Sequence, residues 1–241
     1  MALFPTCLGD LVAPEMVEHA RMALVGCGVQ VAPVRGATCC GQPAFNSGFH
    51  DQARRVARVT LRALAQTTGP IVVPAGSCAA MMSRHWSELF AGDRDATLAR
   101  VVSARVVEFT AVLARHLDAL ERCDLRWPGT VGYHDSCHML RELRLSAEPR
   151  AVLGCVRELE LVPLASSDRC CGFGGTFSVR YPEVSVSMAD SKLNDARGAG
   201  VDALVSADPG CLIQLGGRAE RTNGGLRVLH VATLLHEAGL G

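Results

Sequence analysis

The sequence is 241 residues long, 49% hydrophobic and 20% charged, with 24 Lys+Arg against 24 Asp+Glu and 8 His. That length and apolar content suffice for one large core or two joined small ones. A formal charge of zero argues against a nucleic-acid binder driven by phosphate neutralisation and against a polybasic membrane-surface protein, and no uncharged apolar run reaches the ~20 residues of a bilayer span.

Met1–Asp10 carries no basic residue before an apolar block, and the first Arg is Arg21. This argues against a signal peptide and makes the cytoplasm the expected compartment. Helical patterning is expected over Leu11–Gly26, a buried strand over Val29–Val34, a helix over Asp51–Thr67 and a buried strand over Ile71–Pro74. Helices over Cys78–Phe90 and Val106–Leu120 follow, with a turn or linker signal at Trp127-Pro128-Gly129. Buried strands are expected over Thr130–Tyr133, Leu159–Leu164 and Ala203–Ser206, with a helix over Pro182–Gly200. The alternation predicts an α/β protein with a mostly parallel sheet in each half.

Eleven cysteines are too many to ignore in a reducing compartment, where disulfide frameworks are rare. Metal ligation, redox chemistry or small buried hydrophobes are the readings that remain. The cysteines repeat. Cys39-Cys40-Gly41 and Cys170-Cys171-Gly172 are two copies of a triplet that composition alone would produce about 0.05 times per chain. Cys7 and Cys137 lie upstream of the triplets, Cys78 and Cys211 downstream, and equivalents are separated by 130, 131, 131 and 133 residues. The flanks agree: Phe4-Pro5-Thr6-Cys7 with His134-Asp135-Ser136-Cys137, and Pro74-Ala75-Gly76-Ser77-Cys78 with Ala207-Asp208-Pro209-Gly210-Cys211. Val107-Glu108-Phe109 likewise parallels Leu229-His230-Val231. Two tandem repeats related by a pseudo-two-fold duplication follow, with expected domains at 1–125 and 126–241.

On this reading the cysteines sit where strands end and helices begin, the loops that converge on ligands in open α/β sheets. Thiolates suit zinc, copper(I) or iron–sulfur clusters. Structural zinc usually shows paired C-x₂₋₄-C knuckles, absent here, whereas a bulkier cluster accepts ligands from separated loops. Gly41, Gly172, Gly174 and Gly175 would let backbone approach such a group closely. Neighbouring side chains on regular backbone diverge, so each Cys-Cys pair needs a strained turn or a cluster of unusual shape.

The two CCG blocks resemble the cysteine-rich domains found in heterodisulfide reductase and in the iron–sulfur component of glycolate oxidase. The resemblance is closer to the lactate utilization protein A family. It is carried by Thr6-Cys7-Leu8, Cys39-Cys40-Gly41-Gln42-Pro43-Ala44 with Asn46-Ser47-Gly48, Gly76-Ser77-Cys78, Ser136-Cys137-His138-Met139, Cys170 through Ser178, and Gly210-Cys211-Leu212 with Gly216-Gly217-Arg218. That resemblance implies a part in oxidising L-lactate to pyruvate, with a ferredoxin-like iron–sulfur subunit and a third subunit as partners and a small 2-hydroxy acid as the substrate of the complex. It implies that Cys7, Cys39, Cys40 and Cys78 hold one cluster and Cys137, Cys170, Cys171 and Cys211 a second, each of 4Fe-4S type, with one or both present. Zinc in one half is the alternative. In the heterodisulfide reductase pattern a fifth cysteine closes each set by C-x-x-C; Met81 and Gln214 stand in those places, against disulfide-reducing chemistry.

Cys27, Cys123 and Cys155 have no repeat partner and read as packing residues. His138 reads as a helix-opening residue in a local hydrogen bond, with proton relay or substrate contact as the sharper alternative; His134 and His230 end apolar segments and fit either role. Gly172–Gly175 lacks dinucleotide-loop spacing. Met81, Met82 and Met188 are expected in the core, and Arg54, Arg55 and Arg58 on a solvated face. No flavin or nicotinamide site is legible, so an electron-transfer role is expected.

Overall fold

The computed structural model describes residues 1–222 and 225–240. The first sheet is formed by β1 (Ala2–Leu3), β2 (Ala32–Pro33), β3 (Ile71–Val73) and β4 (Val106–Glu108), and the second by β5 (Arg126–Tyr133), β6 (Arg157–Val162), β7 (Ala203–Ser206) and β8 (Arg227–His230). Strand order is β2-β1-β3-β4 in one and β6-β5-β7-β8 in the other, every pairing parallel. The two orders are the same topology written twice, as a duplication requires.

In chain order the helices of the first half are α1 (Cys7–Val12), α2 (Pro14–Gly26), α3 (Gln42–Asn46), α4 (His50–Ala65) and α5 (Gly76–Ala80). Helix α5 continues through a π-helical turn at Met81–His85 into α6 (Trp86–Leu89), followed by α7 (Ala96–Ser103), α8 (Phe109–Leu113) and α9 (Leu117–Arg122). In the second half a π-helical turn at Met139–Leu143 precedes α10 (Ala147–Gly154), α11 (Phe177–Arg180), α12 (Pro182–Gly198), α13 (Pro209–Arg221) and α14 (Val231–Glu237). Among the described residues no helix is long and apolar enough to cross a membrane.

Several expectations are corrected. Val29–Val34 and Leu159–Leu164 are not buried strands: β2 and β6 are edge strands, with Ala32 and Pro33 exposed and no residue of β6 fully buried. An apolar run does not reveal whether its sheet continues on both sides. The helix expected over Leu11–Gly26 breaks at Ala13, whose φ of −139° and ψ of 56° avoid the helical conformation that Pro14 disfavours in its predecessor. Val106–Leu120 is a strand and two short helices, and Trp127-Pro128-Gly129 lies inside β5 rather than in a turn. Met81 and Met82 are fully buried, whereas Met188 is only half-buried. Arg55 is exposed as expected, but Arg58 pairs with Asp93 and Asp95.

The halves are welded together. One core takes Leu3, Leu24, Phe109 and Leu113 from the first half and Val131, Val152, Val205 and Leu235 from the second, with α2 packed along α14. Cys27 is buried in this core and Cys123 and Cys155 pack on it, which bears out their reading as small hydrophobes. Two further clusters, one under each sheet, surround Cys40 and Cys78 and, separately, Cys171 and Cys211.

One capping device is duplicated with different chemistry. Glu108 ends β4 and its Oε2 accepts from the N–H groups of Thr110 (2.7 Å) and Ala111 (3.1 Å) at the start of α8. His230 ends β8 and its Nδ1 accepts from the Ala232 N–H (3.0 Å) at the start of α14. Glu108 is buried with Oε1 unpartnered, and burial pushes its pKa up to about 7. A carboxyl that holds its proton better folded than unfolded stabilises the fold fully below its unfolded pKa of 4.5. That contribution is lost as pH rises to 7, a swing of about 3 kcal/mol. Glu108→Gln is therefore expected to leave urea stability unchanged at pH 4 and to raise it at pH 8. A variant less stable than wild type at pH 8 contradicts this.

Candidate metal centre

Each sheet reverses its order beside its first strand: β2 lies on one side of β1 and β3 on the other, and β6 and β7 flank β5 in the same way. Loops leaving the C-terminal ends of such strands diverge above the sheet and leave a crevice. Cys7 follows β1, Cys39 and Cys40 follow β2, and Cys78 follows β3; Cys137, Cys170, Cys171 and Cys211 follow β5, β6 and β7. Residues far apart in the chain thus meet at one crevice per half.

The sulfurs do meet. Cys7 Sγ lies 3.6 Å from Cys39 Sγ, Cys40 Sγ 3.4 Å from Cys78 Sγ, and Cys171 Sγ 3.1 Å from Cys211 Sγ. The thiols of Cys39 and Cys40, and those of Cys170 with Cys137 and Cys171, also lie near enough to influence one another's ionisation. Both cysteines of each adjacent pair line the cavity, and the glycine that follows each pair is left-handed, with φ 89° at Gly41 and 86° at Gly172. This turn aims the Gly41 N–H at Cys39 Sγ and the Gly172 N–H at Cys170 Sγ, both at 3.4 Å.

Surrounding groups clamp the turns. Trp86 Nε1 donates to the Cys40 carbonyl (2.9 Å) and Thr60 Oγ1 to the Cys39 carbonyl (2.8 Å). In the second half Ser185 Oγ donates to the Gly172 carbonyl (2.8 Å), and Gln214 Nε2 donates to Ser185 Oγ (2.7 Å). Gln214 and the fully buried Met81, which stand where a fifth cysteine would close each set, are thus occupied in hydrogen bonding and packing.

Electrostatics favour a bound cation. The neighbouring Cys40 and Cys7 thiols hold Cys39 well below the usual thiol range, and Cys137 and Cys171 do the same for Cys170. Their neighbours Cys7, Cys40, Cys137 and Cys171 are pushed up, because each hydrogen-bonds to a thiolate and would add a like charge beside it in a partly desolvated site. One thiolate per set forms readily and further ones do not unless positive charge arrives, which is what a metal centre supplies. The donor set fits an iron–sulfur or related metal site: soft sulfurs from three loops, with backbone N–H groups turned toward them.

Both sets line one cavity of about 300 Å³, together with Leu8, Gln42, His138, Phe173 and Asp208. Two hydrogen bonds, one to a carbonyl and one to a carboxylate, join its walls. The Gly76 N–H donates to the Ala207 carbonyl (3.2 Å) and the Ser77 N–H to Asp208 Oδ2 (2.7 Å). Asp208 Oδ1 accepts from the Gly210 N–H (3.1 Å). A single buried carboxylate therefore holds the N-terminus of α13, which carries Cys211, and that of α5, which carries Cys78.

A model of the cysteine-rich CCG domain matches residues 1–83 and 131–216. A lactate utilization protein A of an Exiguobacterium species is 39% identical, covering 98% of this chain and 97% of that one, and one of Geobacillus kaustophilus is 39% identical over 98% of both. The chain belongs to the lactate utilization protein A family. A lactate utilization protein A 2 of Bacillus cereus is 36% identical over 98% of this chain and 97% of its own. A hypothetical protein from Helicobacter pylori, known as a crystal structure, superposes with a TM-score of 0.66 at 11% identity, covering 98% of this chain. That likeness is of fold alone, and this chain spans 48% of the solved one.

Within the family frame, the structure separates the residues left open in the sequence. His230 caps a helix. His138 is not confined to local bonding: its Nδ1 lies 3.5 Å from Cys137 Sγ and its Nε2 3.2 Å from Gln42 Nε2 of the other half. His134 is fully buried behind the second set, and desolvation holds its pKa at about 3, so the ring is neutral. Lys192, 1% exposed, donates to the Ser166 carbonyl, and burial lowers its pKa. Sequence reasoning misses Asp208 and Lys192. The Asp-Pro pair at 208–209 is a helix-start signature that marks Asp208 as a cap, but nothing in it shows the second helix that the carboxylate reaches.

Proposed function

We propose that this chain is the cluster-bearing, electron-transferring subunit of a cytoplasmic system that oxidises L-lactate to pyruvate. The observation that carries the reading is the convergence of two repeat-related sets of four thiols on one cavity, in a chain of the lactate utilization protein A family. Cys7, Cys39, Cys40 and Cys78 would hold one centre and Cys137, Cys170, Cys171 and Cys211 the other, each as a 4Fe-4S cluster. When bound, such a cluster accepts and releases electrons one at a time.

Oxidation of a 2-hydroxy acid removes two electrons and two protons from one carbon and its hydroxyl. A hydride acceptor on a partner is needed to split the pair; a ferredoxin-like subunit and a third subunit are the partners this reading requires. The protein's own residues do the holding. The glycine turns follow two adjacent cysteines that both line the cavity, and Asp208 ties the helices that carry Cys78 and Cys211.

Protein purified without oxygen tests this by iron, acid-labile sulfide and zinc analysis, with EPR of the reduced form. Stoichiometric zinc and no labile sulfide would replace the redox reading with a zinc scaffold. Cys40→Ser and Cys171→Ser are each expected to abolish iron binding in their own half, so that the double variant holds essentially none; full iron in both single variants overturns the ligand assignment. A substrate panel on the assembled complex separates L-lactate from glycolate.

A further inference from the structure

The two halves differ at one buried position beside the thiols. In the duplicated segments Phe4-Pro5-Thr6-Cys7 and His134-Asp135-Ser136-Cys137, a phenylalanine in the first half corresponds to a histidine in the second. Both residues are fully buried. The second half has therefore placed a polar ring where the first has packed an apolar one, at a desolvation cost that a hydrogen bond or a metal normally offsets.

No hydrogen bond does so. Neither Nδ1 nor Nε2 of His134 has a hydrogen-bond partner among the described residues. One of its ring nitrogens, Cys171 Sγ and Cys211 Sγ all lie within 4.8 Å of one another. Donors around one metal at about 2.0–2.3 Å sit no further apart than about twice that distance, so these three lie close enough to face one small metal centre. The Ser167 carbonyl lies near the ring without meeting hydrogen-bond geometry. A metal-bound imidazole usually donates its second N–H to such a group.

From this geometry we propose that His134 is a nitrogen donor to the metal centre of the second half, binding alongside Cys171 and Cys211. The inference rests on the metal-binding reading above and deepens it: the first centre is held by sulfur alone, the second by sulfur and nitrogen. The two centres are then not interchangeable.

The test uses the full chain, labelled with ¹⁵N-histidine, loaded with iron and sulfide without oxygen, reduced, and read by pulsed EPR. A directly bound histidine nitrogen gives a strong ¹⁵N coupling, expected in the wild type. It should be lost in His134→Phe, which installs the residue found at position 4, and kept in His138→Asn, which removes the other histidine near these thiols. His134→Gln serves if the phenylalanine variant does not fold. Iron present in the second half without any histidine coupling overturns the assignment while leaving the cluster reading intact. A coupling that survives loss of His134, or disappears with His138, overturns it too. A second half that binds no iron, judged by equal iron in wild type and Cys171→Ser, sinks both.

Discussion

Asp208→Ala should unfold the site from both sides at once. Its carboxylate accepts from Gly210 N–H at 3.1 Å and from Ser77 N–H at 2.7 Å, and the residue is 3% exposed. Loss of an N-cap costs about 1 kcal/mol, and hydrogen bonds to a charged group contribute about 1.5–3 kcal/mol each. Removing both, with one buried and one partly buried N–H group left unpaired, should cost about 3–5 kcal/mol in urea unfolding. The decisive readout is iron. Since α5 carries Cys78 and α13 carries Cys211, iron is expected to fall in both halves, beyond the loss seen in Cys171→Ser alone. A loss confined to the second half would show that the contact with Ser77 does not position Cys78. Asp208→Asn, which keeps one acceptor oxygen, should fall between wild type and alanine.

Gly172→Ala is expected to be among the most damaging glycine-to-alanine changes at the described residues. At φ 86° an alanine is strained, which costs about 1–2 kcal/mol by itself. The added Cβ would also stand 2.6 Å from the Ser185 carbonyl oxygen, a backbone atom of α12 that cannot rotate away. Together these should destabilise the protein by about 3–4 kcal/mol, because α12 or the Cys-Cys turn must shift. Gly41→Ala, with its Cβ 2.8 Å from the Ala53 carbonyl oxygen, should do the same to the first half. Gly200→Ala is the control: its φ is 68°, but nothing lies within 4 Å of the new methyl group. It should cost only the conformational strain and leave iron content unchanged. Equal effects at 172 and 200 would mean that the close approach to α12 is relieved at little cost.

How legible the molecule is from its residues depends on the range of the force involved. Ala203–Ser206 and Ile71–Val73 read correctly as buried strands because they are central in their sheets, and an unbroken apolar run reports that burial directly. The edge strands β2 and β6 misread, since edge and centre differ by which neighbour is present, not by local composition. The break at Ala13 is legible in Pro14. The absence of a register partner assigns the three cysteines outside the repeats to packing, and the shared core bears that out.

Repetition of Cys-Cys-Gly, with partners at constant spacing, determined from sequence alone that the fold is duplicated and that four thiols belong to each half, because duplicated chemistry leaves a period in the chain. Only the tertiary structure decided that both sets open onto one cavity, that Asp208 ties the helices carrying Cys78 and Cys211, and that His134 rather than His230 or His138 lies buried and unpartnered behind the second set. Those facts depend on how one repeat is placed against the other and on which side chains burial leaves without a partner. Both are set by the packing of α2 on α14 and by the desolvation of the joined core, neither of which has a period that a sequence can display.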